Sequence, residues 1–314
     1  MFYFRQSTLL FRLALAAILL TAGSVLAQEP EEKKPVNPDE ITSIETNIVV
    51  LNVTVTDLRE KYVAGLREKD FRIFEDRAPQ KIVSFGFEET PFAAVILLDT
   101  SGSMTSRMSL ARAACSSFVS GIREGDNVAI YSFGGTKVKM IQDFSEVRDV
   151  DPNLWETNAK GETPLYDAIY EAAEALAQRP ERRRAILIVS DGADTRSKYS
   201  LDEALKQTLL RGVTIYSVNL TEAALHNTQP RDNGAEVLKS LAAKTGGRFY
   251  PAPGGSRLRE AFADTIEELR NQYTIAYEPS NEKLDGRWRV IEVQTSPAHT
   301  VRTRQGYYSA RPKK

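Results

Sequence analysis

The stretch Phe92-Ala-Ala-Val95-Ile96-Leu97-Leu98-Asp99-Thr-Ser101-Gly102-Ser103-Met104 decides how the rest of the chain is read. Val95 to Leu98 form an apolar run suited to a strand buried on both faces. The run stops at Asp99, and Ser101, Gly102 and Ser103 follow at once. A helical pattern then begins near Met104 and places Leu110, Ala114, Phe118 and Ile122 on one side. Strand, tight polar turn and helix form the first half of a βαβ unit. In such sheets ligands bind outside the carboxyl ends of the strands.

Asp99, Ser101 and Ser103 offer only hard oxygen ligands, the kind that suit magnesium, manganese or calcium. For these three residues alone, helix capping and backbone hydrogen bonding is the preferred explanation. Two further loops bear on the choice. Gly161-Glu162-Thr163-Pro164-Leu165 precedes a helical pattern through Ile169, Ala172, Ala173 and Leu176. Thr163 there reads as an N-cap, with Pro164 at the first helical position. Ala185-Ile-Leu-Ile-Val189-Ser190-Asp191-Gly192 is a second buried apolar strand ending in a carboxylate. By itself Asp191 reads as a turn residue.

In this order, D-x-S-x-S, Thr in G-x-T-P-L and S-D-G resemble the von Willebrand factor type A domain. That resemblance implies a metal-ion-dependent adhesion site at Asp99, Ser101, Ser103, Thr163 and Asp191. It implies direct metal contacts by the hydroxyls, carboxylates acting often through water, and an open position for an acidic residue of a partner. All five positions are filled here. Asp194 is a rival for the third loop, and Asp191 is preferred because it directly follows the strand. A separate physical argument leads to a cation. Two carboxylates about 5 Å apart repel by about 3 kcal/mol at an effective dielectric of about 20, and a divalent ion reverses that sign. Magnesium, which binds few carboxylates and keeps part of its water, suits this set best, with manganese or calcium as alternatives.

The amino terminus suggests the compartment. Arg5 and Arg12 precede an apolar run, Val25-Leu-Ala27 is a small-residue cleavage signal, and nothing acidic occurs before Glu29. This is the pattern of a secretory signal peptide, residues 1–27, cut after Ala27. The run is shorter than the roughly 20 residues that span a bilayer. No membrane span is expected in the mature chain, and the expected location is periplasmic or extracellular. The segment holds two basic and no acidic residues, so its loss moves the formal net charge from -1 to -3. Such a balance carries no nucleic-acid footprint. Cys115 is the single cysteine, which precludes an internal disulfide, and its place beside Phe118 reads as packing.

Residues 28–44, rich in Glu, Lys and Pro, read as a flexible tether. From Thr46 a period of two appears, with Val49, Leu51, Val53 and Val55 on one face. About four short strands follow in residues 45–90, too few for a sandwich of the usual size. Residues 271–310 supply more: Gln272 to Tyr277, Trp288 to Val293, and Val301 to Tyr308 read as strands. The two ends are therefore expected to combine into one β-rich, sandwich-like domain, with residues 91–270 inserted as an α/β doubly wound, mostly parallel sheet. Within that insert, Lys137 to Phe144 reads as a polar edge strand. The pattern G-L-x-x-x-D-F-x-I-F-E-D, with the terminal R-x-G-Y-Y, also resembles a group of secreted bacterial proteins related to this family.

The expected function is an exported, non-enzymatic protein-binding module. A partner's Glu or Asp would complete the coordination of the cation, and Met104, Arg107, Tyr166, Arg196 and Tyr199 would set specificity. A metal-dependent hydrolase is the competing class. It lacks a base, because only His226 and His299 exist and neither is near the metal loops, although Glu162 could serve. No G-x-S-x-G, H-E-x-x-H or P-loop occurs. A third class is a structural envelope protein with a purely structural metal. A subunit of chelatase or ATPase machinery is disfavoured by export.

Overall fold

The computed structural model describes residues 48–87, 90–156, 161–220, 233–251 and 254–309. The expected signal peptide and tether lie outside the described residues, as does His226. All the described residues belong to one unit, Thr46–Lys314.

At its centre is a six-stranded sheet of β5 (Phe92–Asp99), β6 (Asn127–Gly134), β7 (Lys137–Ser145), β8 (Arg183–Ser190), β9 (Val213–Asn219) and β10 (Phe249–Pro251). The spatial order is β10-β9-β8-β5-β6-β7. All neighbours run parallel except β6 and β7, so the polar strand is indeed the edge and the sheet is mixed. Every residue of β5 is buried. Phe92, Ala94, Ile96 and Leu98 pack on one face with α1 (Met108–Gly121) and α6 (Gly255–Arg270). Ala93, Val95 and Leu97 pack on the other with α3 (Leu165–Ala177), α4 (Leu201–Leu210) and α5 (Gly234–Thr245). The short α2 (Asn153–Glu156) adds Leu154 to the first core.

The chain ends form two further sheets. One has the order β13-β1-β11-β4, from β1 (Val49–Thr56), β4 (Ile82–Gly86), β11 (Tyr273–Tyr277) and β13 (Thr300–Arg302). The other is β14-β12-β2-β3, from β2 (Phe71–Glu75), β3 (Ala78–Gln80), β12 (Trp288–Thr295) and β14 (Gly306–Tyr308). Val49, Leu51, Val53, Val55, Phe71, Ile73, Tyr273, Ile275, Tyr277, Ile291 and Val293 fill the space between them. The α/β fold with an accompanying β-rich sandwich therefore matches the expected class. One element differs. The segment read as a single strand, Val301 to Tyr308, is two strands in different sheets. The break lies where Thr303 Oγ1 donates to Asn52 O, Arg304 donates to Val50 O, and Gln305 N–H donates to Lys244 O. Those bonds turn the chain from one sheet to the other.

The insert begins and ends at the same place. Phe92 N–H donates to Asp126 Oδ1, while Asp126 Oδ2 pairs with Arg270 at 3.1 Å, both ionic side chains being buried. The fully buried Arg183 donates to the carbonyls of Leu269, Arg270 and Gln272. It thereby satisfies the open end of α6, where helical carbonyls lack intrahelical partners. A second buried polar group joins α6 to the sandwich. Glu268, fully buried, accepts from Thr54 Oγ1 at 3.2 Å and Tyr216 OH at 3.0 Å, and pairs with Arg302. Gln272 Nε2 bonds both Tyr216 and Thr54. The opposite, carboxyl edge of the sheet is left to the loops.

Candidate metal centre

β5 ends at Asp99 and β8 at Ser190, and the register Leu98↔Val189 brings these ends side by side. Asp99 is fully buried. Its Oδ1 accepts from Ser101 N–H at 2.8 Å and its Oδ2 from Ser190 Oγ at 2.5 Å. Ser190 Oγ in turn accepts from Gly192 N–H at 2.9 Å, so the two loops share one hydrogen-bonded chain. Burial pushes the Asp99 carboxyl up to about 6 against the pull of those hydroxyl and amide donors, and the nearby Asp191 carboxylate raises it further. The Asp191 carboxylate is thus close enough to oppose ionisation of Asp99.

The hydroxyls do not cap the helix. Residues Gly102–Arg107 form a 3₁₀ turn, and α1 starts only at Met108, later than the sequence pattern suggested. Thr105, Ser106 and Arg107 have no apolar stripe to bury, while Met104 points into the core, and the tighter turn meets both demands. Ser101 stands at the N-cap position but makes no side-chain cap bond. Its Oγ lies 3.0 Å from Ser103 Oγ instead. Thr163 also lies outside its helix, since Pro164 occupies the N-cap of α3. The capping explanation therefore does not account for Ser101 or Thr163.

The second loop touches the first and third. Gly102 N–H donates to Gly161 O at 3.3 Å, Thr163 N–H donates to Thr195 Oγ1 at 2.8 Å, and Thr195 N–H donates to Thr163 O at 2.9 Å. Thr163 itself is buried. The role of the rival carboxylate is clear from its bonds. Asp194 Oδ1 accepts from Ser197 Oγ at 2.5 Å and from Tyr166 N–H at 3.3 Å, and Ser197 Oγ accepts from the amides of Tyr166 and Asp167. Asp194 is spent on the open end of α3. Asp191, partly exposed, accepts only a local bond from Ala193 N–H at 3.2 Å. Gly192 makes this crowding feasible. Its φ is +86°, and a Cβ there would sit 2.3 Å from Gly234 O.

Among the described residues, no three His, Cys, Asp or Glu side chains gather into a group that could hold a metal. The donors on this edge are two carboxylates and three hydroxyls, a set that fits a hard cation with a retained water shell. Of the expected specificity residues, Met104 is fully buried and belongs to the core, which corrects the sequence reading. Arg196 pairs with Glu162 at 3.3 Å on the surface, and Tyr199 stacks on Tyr170 at 3.9 Å. Arg107 Nη1 reaches Ser103 O at 3.4 Å. Ser190, the second partner of Asp99, was assigned no role although the S-D-G pattern contains it; its hydrogen bond to Asp99 supplies one. Cys115 is buried, with its thiol pushed up to about 12 by that burial.

A mixed, mostly parallel sheet with helices on both faces and a carboxylate–hydroxyl cluster at its carboxyl edge defines the α/β domain. Residues 94–193 match the family model of the von Willebrand factor type A domain. No match was found among curated proteins. An aerotolerance-related membrane protein from Bacteroides fragilis is similar at 16% identity and a TM-score of 0.45, covering 57% of this chain and 98% of that one. A von Willebrand factor type A protein from Catenulispora acidiphila is similar at 11% identity and a TM-score of 0.49, covering 84% of this chain and 74% of that one. The corresponding domain of the type V pili tip protein Mfa5 from Porphyromonas gingivalis is similar at 14% identity and a TM-score of 0.47, covering 57% and 95%. No described helix is long and apolar enough to cross a membrane.

Proposed function

We propose that this chain is an exported, metal-dependent protein-binding module. A divalent cation, magnesium first, would be held by Ser101, Ser103 and Thr163, with Asp99 and Asp191 as the carboxylates. When bound, the cation supplies a Lewis-acidic position that takes a Glu or Asp carboxylate from a partner. The observation that carries the reading is the burial of Asp99 beside Asp191, next to serine hydroxyls that face each other instead of capping a helix. A buried carboxylate beside a second one is costly without a countercharge. The cation would provide it.

This chain's own residues do the rest. Ser190 and the Ser101 amide fix both oxygens of Asp99, and the Thr195 hydroxyl and amide fix the Thr163 backbone. A hydrolase reading gains nothing from the site. His299 sits in the sandwich region beside Thr295, and Glu162 is engaged with Arg196 at the surface. The test is thermal unfolding of the full chain in EDTA and in magnesium or manganese. Ligand linkage predicts about 2.7 kcal/mol of stabilisation at a hundredfold excess over Kd. Asp99→Ala should remove that response. No stabilisation at millimolar metal would end the proposal.

A further inference from the structure

Three sheets leave an unpaired strand edge at one place. β10 is the last strand of the central sheet, and β13 is the last of its own sheet. β12 pairs with β14 only over Trp288, Arg289 and Val290, which leaves its later residues open on that side. The direction of the main-chain groups follows from the pairing, since successive residues of a strand address opposite sides. Ser217 N–H donates to Arg248 O, so Arg248 and Tyr250 face β9, and Phe249 N–H and C=O face away. Ile291 N–H donates to Gln305 O, away from β2, so Val293 faces that same side. Val55 O accepts from Val63 N–H, which leaves Thr54 and Thr56 to face Arg302 and Thr300 of β13. Val301, between them, points its main chain outward.

Phe249, Val293 and Val301 all line one cleft of about 420 Å³ between α5 and the sandwich. The exposed Ala243 adds apolar surface. Lys239, Arg248 and Arg302 bring three cations to the lining, against the single carboxylate of Glu292. Arg302 is committed to the buried Glu268, but Arg248 pairs with Glu60, whose side chain is 73% exposed and replaceable.

We propose that this cleft captures an extended polypeptide segment of a partner by strand addition, with alternating apolar and acidic side chains. Outward main-chain groups at a strand edge are met by another strand, whose two sides can bond up to two of these edges, whereas a helix has consumed its own N–H and C=O groups. Apolar side chains of the segment would cover Ala243 and Val301, and its carboxylates would meet Lys239 and Arg248. The site is separate from the metal loops and does not depend on the metal.

The probe is a phage-displayed library of random dodecamers panned against the full chain in EDTA, followed by anisotropy titration of the enriched peptides. Support would be enriched peptides that alternate apolar and acidic residues, lose at least tenfold in affinity when their alternate amides are N-methylated, and bind Asp99→Ala unchanged. They should also bind at least tenfold more weakly to Val301→Pro. That substitution removes an outward N–H and no ladder bond, the position at which strands tolerate proline. Lys239→Glu, on the surface of α5, tests the same cleft without touching a strand. No enriched peptide, or peptides that bind both variants as they bind the parent, would overturn the proposal.

Discussion

Ser190 Oγ lies 2.5 Å from Asp99 Oδ2 and is itself held by Gly192 N–H, so two strand ends share one proton chain at the sheet edge. Hydrogen bonds to a charged group contribute about 1.5–3 kcal/mol. Ser190→Ala should therefore weaken magnesium or manganese binding by roughly tenfold or more without altering any proposed metal-contacting hydroxyl. Manganese titration followed by electron paramagnetic resonance reads this directly. Unchanged affinity would mean that Asp99 needs no such partner.

Without metal, stability should fall with rising pH. Asp99 ionises near its ordinary value of 3.8 in the unfolded chain and at about 6 in the folded protein. Between those values the folded state binds more protons, so each step upward in pH favours unfolding. The loss is of order 3 kcal/mol and complete above about pH 6. Urea midpoints in EDTA from pH 4 to 7 measure it. Saturating metal should flatten or reverse the trend in that window, since the cation favours the ionised carboxylate.

Asp194→Ala and Asp191→Ala should separate cleanly. The first removes a cap from α3 and should lower stability by about 1 kcal/mol while the metal response survives. The second should abolish the metal response and, in EDTA, leave stability equal or higher. Melting curves with and without magnesium distinguish them. The reverse pattern would transfer the third-loop role to Asp194.

Arg302→Met leaves Glu268 buried without its cation. Breaking a buried pair from one side costs about 3–5 kcal/mol. The variant should unfold at a clearly lower urea midpoint, and Glu268→Gln with Arg302→Met together should recover part of the loss. A double-mutant cycle provides the comparison.

The parts that could be read from the chain are those governed by short-range period. The run from Val95 to Leu98, the alternation from Val49 to Val55 and the apolar stripe through Ile169 and Leu176 each mark an element and its buried face. The ends of the apolar strands also pointed to Asp99 and Asp191. What escaped notice depends on partners distant in sequence. Glu268 reads as an ordinary charge on an amphipathic helix, yet its partners come from β1, β9 and β13. Ser190 has no role of its own until the adjacent ends of β5 and β8 place its hydroxyl against Asp99. Met104 reads as a loop residue that sets specificity, but it lies in the 3₁₀ turn and is packed in the core.

The meeting of Phe92, Asp126 and Arg270 at one corner has a consequence for the order of synthesis. β1 emerges from the ribosome first, but its partner β11 follows more than two hundred residues later. The whole α/β insert can close on itself in that interval, because its two ends already touch. The early strands must wait, with Leu51 and Val53 uncovered, until the carboxyl-terminal strands arrive. In a nascent chain the insert would thus be the first of the described parts to become protease-resistant, ahead of the amino-terminal strands.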